Sequence, residues 1–109
     1  MMTERLEHAA FLENLNSTFR LHLEGSDMVD LELVEVSDLK AARRQEMFSL
    51  VFRCASSTVF PQRIYGLEHD DMGQFDLFLV PIKKDDQGVY YEAVFNRLFE
   101  DSESSGSVS

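Results

Sequence analysis

Residues 75–95 read FDLFLVPIKKDDQGVYYEAVF and contain two strand-like apolar segments on either side of a turn sequence. Residues 75–82 are almost continuously apolar, so we expect both faces of this strand to be covered. Residues 89–95 alternate between apolar and polar positions, which is typical of a half-buried strand. The connection, residues 85–88, ends in glycine and is too short for the crossover helix of a parallel pair. The stretch therefore predicts two antiparallel strands.

Four further segments continue this pattern upstream, at residues 18–24, 29–36, 47–53 and 64–69. Within residues 29–36 the apolar phase changes near Leu33 and Val34, and one extra residue in a β-bulge would restore it. Six strands at this spacing predict a mainly β fold, an antiparallel barrel or sandwich. The inward phase predicts these core residues: Phe19, Leu21, Leu31, Phe48, Leu50, Phe52, Leu67, Leu77, Leu79 and Phe95.

A single N-terminal helix is expected at residues 4–15, where neither glycine nor proline interrupts the sequence. Thr3 is a suitable N-cap. The apolar side of this helix is predicted from the following residues: Leu6, Ala9, Ala10, Leu12 and Leu15. Such a helix would pack against the sheet or cover one end of it. Two longer loops are expected at residues 37–46 and 55–62.

The charge balance excludes several classes of partner. Twenty acidic residues against ten basic ones give a formal net charge of −10. A protein of this charge lacks the basic surface that binds nucleic acid or anionic lipid. No apolar run reaches the length of a membrane helix, and residues 1–7 lack a signal-peptide pattern. With one cysteine, Cys54, and therefore no internal disulfide, the expected location is the cytoplasm.

The composition changes at residue 100, after which the sequence reads EDSESSGSVS. One apolar residue in ten cannot bury enough surface to offset the entropy lost on ordering. We therefore predict one β-rich domain at residues 1–99 and a disordered acidic tail at residues 100–109.

The strongest catalytic-looking cluster is Glu68, His69, Asp70 and Asp71. A carboxylate beside an imidazole suits acid–base catalysis or metal binding. However, neighbouring residues on a strand point to opposite faces, and aspartates favour turns for local reasons. A metal site would also require His8 or His22 to approach His69. We therefore interpret the cluster as structural, and expect no catalytic residue, metal or cofactor.

Other motifs also have simple structural interpretations. Residues 85–88 resemble the start of a calcium loop, but the following strand-like residues favour a hairpin turn. Cys54 has no partner base in the sequence, so a buried thiol is expected. The only basic cluster, Lys40, Arg43 and Arg44, is a possible contact loop for a protein partner, or else a solvated loop.

The strand segments FRLHL (19–23), LELVEVSDL (31–39), FSLVFR (48–53), FDLFLVPI (75–82) and YEAVFN (91–96) occur in an order that resembles a known family. It consists of short bacterial proteins described as a domain of unknown function. Where the family pattern implies PQG, this chain has Pro61, Gln62 and Arg63. The resemblance implies an all-β fold, no established catalytic residues, and an association with phage-tail-collar-like genes.

Three functions follow as hypotheses. The first is a non-catalytic protein-interaction or assembly module, accessory to a phage-tail-like structure. The second is a small-ligand-binding barrel whose inward aromatic residues line a cavity. The third is a small enzyme that uses His69 and its neighbouring carboxylates. We rank them in this order.

Deleting residues 100–109 should leave thermal stability nearly unchanged, because this segment has almost no apolar surface to pack. Thermal denaturation of the truncated and full chains, followed by circular dichroism, tests this expectation. A fall of several degrees in Tm would contradict it and would indicate that the tail docks on the domain.

Overall fold

The computed structural model describes residues 7–98, which form a closed six-stranded antiparallel β-barrel with one extra strand and one short helix. The mainly β fold is confirmed, and of the two predicted architectures the structure is the barrel. Its elements, in chain order, are α1 (His8–Glu13), β1 (Thr18–His22), β2 (Met28–Val36), β3 (Lys40–Ala42), β4 (Gln45–Cys54), β5 (Arg63–His69), β6 (Gly73–Asp85) and β7 (Gly88–Leu98).

Every strand pairs antiparallel with its neighbours, in the order β2-β1-β5-β6-β7-β4-β3. A second pairing of β2, with β4, closes the first six of these strands into the barrel. The β2–β4 register shifts between Leu33 and Glu35, which confirms the predicted bulge. The extra residue keeps Leu33 buried inside while it lets β2 bend around the barrel.

Strand β3 corrects the prediction that residues 37–46 form a loop. Lys40–Ala42 pairs with Gln45–Met47 of β4, and Arg44 takes a left-handed φ of 66° in the connecting turn. All three residues of β3 are exposed. A strand with both faces in solvent has no apolar alternation, so its sequence resembles a loop.

The prediction that both faces of residues 75–82 are covered is wrong. Leu77 and Leu79 lie inside the barrel, whereas Phe78 and Ile82 are about half exposed on its outside. The continuous apolar run arises because this strand carries apolar residues on its outer face as well. It does not indicate a second layer of structure.

The two predicted hairpin turns are confirmed, at residues 70–72 and 86–87. In the second, the backbone amide of Gln87 donates a hydrogen bond to Asp85 Oδ1 at 2.8 Å and holds the pKa of that carboxyl below its ordinary value. Gly88 follows with a φ of 139°, and a Cβ there would lie 2.0 Å from the carbonyl oxygen of Cys54. The turn therefore requires glycine at this position.

Aromatic side chains fill the barrel interior. Nine of the ten predicted core residues are buried, and Phe95 is partly buried against them. Phe19 and Phe52 meet edge to face at 5.3 Å between ring centroids, and both are fully buried. Phe48 and Phe95 stack at 4.6 Å. The buried surface of these rings provides much of the hydrophobic stabilisation.

The helix differs from its prediction in length and in the face that it buries. It begins at His8, because Glu7 has an extended backbone with φ −108° and ψ 152°. It ends at Glu13, and residues 1–6, including the proposed cap Thr3, lie outside the described part of the chain.

Phe11, which was not placed on the predicted apolar face, is the fully buried residue of α1, whereas Leu12 and Leu15 are exposed. The Phe11 ring lies 5.5 Å from Phe95 and 6.0 Å from Phe75. The β6–β7 ladder ends at Val80 and Glu92, so these two strands are not paired beside Phe75 and Phe95. The helix therefore inserts one ring into the end of the barrel and does not lay a broad face on it.

Among residues 7–98, no helix has the length and apolar character needed to cross a membrane.

Replacing Phe11 with alanine should cost about 3–5 kcal/mol in the free energy of unfolding, because it removes the ring that fills the end of the barrel. Leu12→Ala is the matched control on the adjacent, exposed position and should cost less than about 1 kcal/mol. Urea denaturation of both variants measures the two values. If both variants lose the same free energy of unfolding, or Leu12→Ala loses more, the conclusion that the Phe11 ring seals the end of the barrel is wrong.

Candidate interaction surface

The predicted polar cluster is divided between two faces of the barrel. Glu68 lies on the outer face, whereas His69 points inward and is only 5% exposed. Asp70 and Asp71 belong to the β5–β6 turn. The alternation of β5 therefore separates the imidazole from its neighbouring carboxylate, as the strand geometry predicts.

His69 holds the β5–β6 turn against the segment that follows the helix. Its Nδ1 accepts hydrogen bonds from the backbone amides of Asp71 at 3.0 Å and Met72 at 3.3 Å. We therefore place the ring hydrogen on Nε2, which lies 2.9 Å from Ser17 Oγ. The Ser17 hydroxyl in turn donates to the carbonyl oxygen of Asn14. Both imidazole nitrogens thus have structural partners, and neither partner is a carboxylate.

The other two histidines do not approach His69. His22 Nε2 lies 3.2 Å from Glu68 Oε1 on the outer face, and His8 Nε2 lies 2.8 Å from the carbonyl oxygen of Ser37. In the described part of the chain, no group of three or more histidine, cysteine or acidic residues is placed to hold a metal ion. Cys54 is a buried free thiol, as predicted.

An ion-paired cluster on β1 and β5 was not found from the sequence. Arg20 Nη2 contacts Asp70 Oδ1 at 2.9 Å and Glu68 Oε2 at 3.4 Å, while His22 bonds the other oxygen of Glu68. The hydrogen bond to Asp70 raises the pKa of Arg20, and the bond to Glu68 adds to that effect. The cluster depends on the register of β1 against β5, which joins residues almost fifty positions apart.

Next to this cluster, the outer face of β5, β6 and β7 carries an apolar row, defined by exposed Ile64, Phe78 and Val94 and by half-buried Val80. Ile64 lies directly opposite Phe78. Val80 follows Phe78 on the same face and lies opposite Glu92, and Val94 follows Glu92. Ile64 is 66% exposed, Phe78 51% and Val94 64%. Two carboxylates lie on the same face: Glu92 on β7, and Asp76, which precedes Phe78 on β6.

A cleft of about 400 Å³, cleft 1, lies at the β5 end of the apolar row and includes Ile64 in its lining. Its polar residues are His22, Glu24, Asp27 and Arg63. Arg63 lies 3.9 Å from Glu24, so one acidic residue is paired with it. Asp27 adds a second carboxylate to the same cleft.

Two tyrosines fix one wall of cleft 1. The Tyr65 hydroxyl donates to the carbonyl oxygen of Pro61 at 2.6 Å, and the Tyr91 hydroxyl accepts from the backbone amide of Phe60 at 2.9 Å. Burial raises the pKa of Tyr65 and of Tyr91, so both phenols stay neutral and hold these bonds at neutral pH. The irregular segment before β5 is thus attached firmly to the barrel.

A second cleft of about 290 Å³, cleft 2, lies at the β7–β4 end of the apolar row and includes Val94. Its lining includes Ser37, which lies between β2 and β3 and donates its backbone amide to the carbonyl oxygen of Ser49 at 2.9 Å. Asp38, Lys40 and Glu92 supply its charges, and Met47 is part of its apolar lining.

The basic cluster predicted as a partner-contact loop is therefore only partly beside this surface. Lys40 lines cleft 2, whereas Arg43 and Arg44 lie in the exposed β3–β4 turn. Sequence reasoning missed Phe78 as a surface residue because it belongs to a continuous apolar segment, and it did not join Ile64 and Val94, which lie at outward strand positions, into one surface with Phe78. The sequence feature that could have indicated an exposed apolar surface is the apolar residues at outward positions of β6. The prediction that both faces of this strand are covered assigned them to the interior instead.

The fold and surface define a small closed β-barrel with an exposed apolar face and two flanking clefts. The sequence matches the model of the DUF6916 family, a domain of unknown function, over residues 6–95. The chain belongs to this family. No curated protein and no solved structure matches it.

His69→Ala should lower the free energy of unfolding by about 1–3 kcal/mol, because it removes a buried ring and leaves two backbone amides of the β5–β6 turn without their acceptor. His22→Ala is the control, since His22 is exposed and its ion pair contributes less than about 1 kcal/mol. Urea denaturation at neutral pH compares the two. If His69→Ala is as stable as the unmodified chain, the structural role assigned to His69 is wrong.

Proposed function

We propose that this protein is a non-catalytic interaction module whose docking face is the apolar row Ile64, Phe78, Val80 and Val94. The observation that carries the proposal is the exposure of Ile64, Phe78 and Val94 on the outer face of β5, β6 and β7, with half-buried Val80 between them. Ile64 lies opposite Phe78, and Val80 lies opposite Glu92 at the last paired position of β6 and β7 before Val94. Single exposed apolar residues are common on protein surfaces, but contiguous ones rimmed by polar residues mark interaction sites.

The two halves of the barrel exterior differ in composition. On β1 and β2 the outward positions carry Arg20, Asp30 and Glu32, which form or border ion pairs. On β5, β6 and β7 the outward positions carry the apolar residues Ile64, Phe78, Val80 and Val94, together with Glu68, Asp76 and Glu92. Because one barrel supplies both surfaces, the fold itself does not require apolar residues outside. A partner that covers this face provides a reason for them.

The charges around the apolar row indicate the chemistry of the partner. Asp76 precedes Phe78 on the same face, Glu92 lies beside Val80, and Asp38 lines cleft 2. The whole chain carries a net charge of −10. The complementary partner is a protein surface with an apolar centre and a basic rim, rather than a nucleic acid or an anionic lipid.

The other two hypotheses have less support. A ligand-binding barrel needs space in its interior. In this barrel, Phe19, Leu50 and Phe52 are fully buried and belong to one packed core cluster. An enzyme built on His69 needs an open imidazole oriented by a carboxylate, and His69 is buried between Ser17 and the β5–β6 turn. The phage-tail association, which came from the family resemblance, would make the partner a component of a larger assembly.

The proposal is tested with a photo-crosslinking amino acid placed at Val94 in the full chain, expressed in its native cell. A specific partner should crosslink at Val94 and not at Asp30, which lies outward on β2. The partner is then purified and its affinity is measured directly. Phe78→Asp should weaken binding by about tenfold or more, because it places a charge in the centre of an apolar contact.

Leu12→Asp is the matched control, since Leu12 is 49% exposed and lines neither cleft, and Phe78 is 51% exposed. It should leave the affinity unchanged. Circular dichroism confirms that both variants are folded. If crosslinking at Val94 and Asp30 gives the same products, or if Phe78→Asp binds as well as Leu12→Asp, the apolar row is not the docking face.

A further inference from the structure

We infer that the partner presents an extended peptide segment, with apolar residues in its centre and a basic residue at each end, that lies across the strands from cleft 1 to cleft 2. The inference rests on the proposed function and specifies the partner's shape and charge. It is carried by the position of the two clefts, one at each end of the same apolar row.

Each cleft shares a residue with the row. Ile64 lines cleft 1 and Val94 lines cleft 2. In the antiparallel registers, Ile64 lies opposite Phe78 and Val94 lies opposite Ser49 of β4. Apolar side chains therefore lie on β5, β6 and β7 between the two clefts, with Val80 and Glu92 as the last paired position of β6 and β7. A segment that contacts both clefts has to cross these three strands.

The length of the footprint sets the length of the segment. Four adjacent strands, β5, β6, β7 and β4, span about 14 Å at the usual strand spacing. An extended chain covers this distance with about four or five residues. One or two further residues at each end would enter the clefts. The expected segment therefore has roughly six to eight residues, with alternate side chains facing the barrel.

Cleft 1 lies where the β1–β5 ladder stops. The last pair of this ladder is His22 and Gly66, although β5 extends back to Arg63. The β1 chain turns away there, and Leu23 N donates to the carbonyl oxygen of Asp27 at 2.9 Å. Glu24 is already paired with Arg63. We therefore assign Asp27, the other carboxylate of cleft 1, to the basic side chain at one end of the peptide segment.

Cleft 2 has the same combination of an apolar wall and carboxylates. Met47 and Val94 supply apolar surface, while Asp38 and Glu92 supply two negative charges against the one positive charge of Lys40. A lysine or arginine side chain fits such a site, because its aliphatic stem packs on apolar surface and its charged end reaches the carboxylates.

The charge of both clefts decides between possible peptides. Counting Arg63 and Lys40, each cleft retains an excess of acidic over basic side chains. A segment with acidic ends would meet like charge at both clefts. A segment with basic ends and an apolar centre complements both clefts and the row between them.

The test uses random eight-residue peptides displayed on a carrier and selected for binding to the full chain. Binders that also bind Phe78→Asp are removed. The expected outcome is a consensus with basic residues near both ends and two apolar residues between them. A synthetic peptide of this consensus should lose binding as salt rises, since its end contacts are ionic.

Removing one carboxylate from each cleft tests the assigned orientation. Asp27→Asn and Glu92→Gln should each weaken binding of the consensus peptide about threefold or more, while Asp30→Asn, on the other side of the barrel, should leave it unchanged. An equal effect of all three variants would indicate general charge attraction and would overturn the inference.

The remaining outcomes separate this inference from the proposed function. If no peptide is selected, or the consensus has acidic or apolar ends, the linear segment is wrong. The docking face still stands if the crosslinked partner depends on Phe78. If that partner is also insensitive to Phe78→Asp, the proposed function itself is wrong.

Discussion

The pairing of β2 with β4 is the constraint on which the rest of the structure depends. The other ladders of the six barrel strands form an open sheet, with β2 and β4 at its two edges. Their pairing from Leu31–Cys54 to Val36–Leu50 removes both edges and directs the inner side chains of all six strands toward one core. The bulge after Leu33 makes this possible, since β2 must curve to reach β4. After Val36 the chain continues through Ser37 and Asp38, which line cleft 2.

Closure by hydrogen bonds leaves one end of the barrel to be sealed by side chains. Phe11 occupies the region where β6 and β7 are no longer paired, with its ring near Phe75 and Phe95. His69 joins the neighbouring turn to the α1–β1 connection through Ser17. A residue type associated with catalysis thus serves here to accept hydrogen bonds from the backbone amides of the β5–β6 turn.

The outer face combines two opposed properties. A strongly acidic chain stays dispersed through charge repulsion, while the apolar row on β5, β6 and β7 favours association. Acidic residues beside the row and in the clefts would repel acidic surfaces, including a second copy of this chain. In the proposed interaction, the same residues would attract a partner with basic groups in matching positions. Selectivity would therefore come from charge, and affinity from Phe78 and its apolar neighbours.

The sequence by itself determined the antiparallel strands, the bulge near Leu33, the two hairpin turns and nearly all of the core, because these follow from local periodicity and turn chemistry. It did not determine that Phe11 plugs the barrel or that Phe78 is exposed, since an apolar residue has the same appearance in a sequence whether it faces the core or the outside. The ion cluster around Arg20 and the two clefts were also decided by the tertiary structure alone. They arise from strand register and from the places where ladders end, and both depend on pairing between residues far apart in the chain.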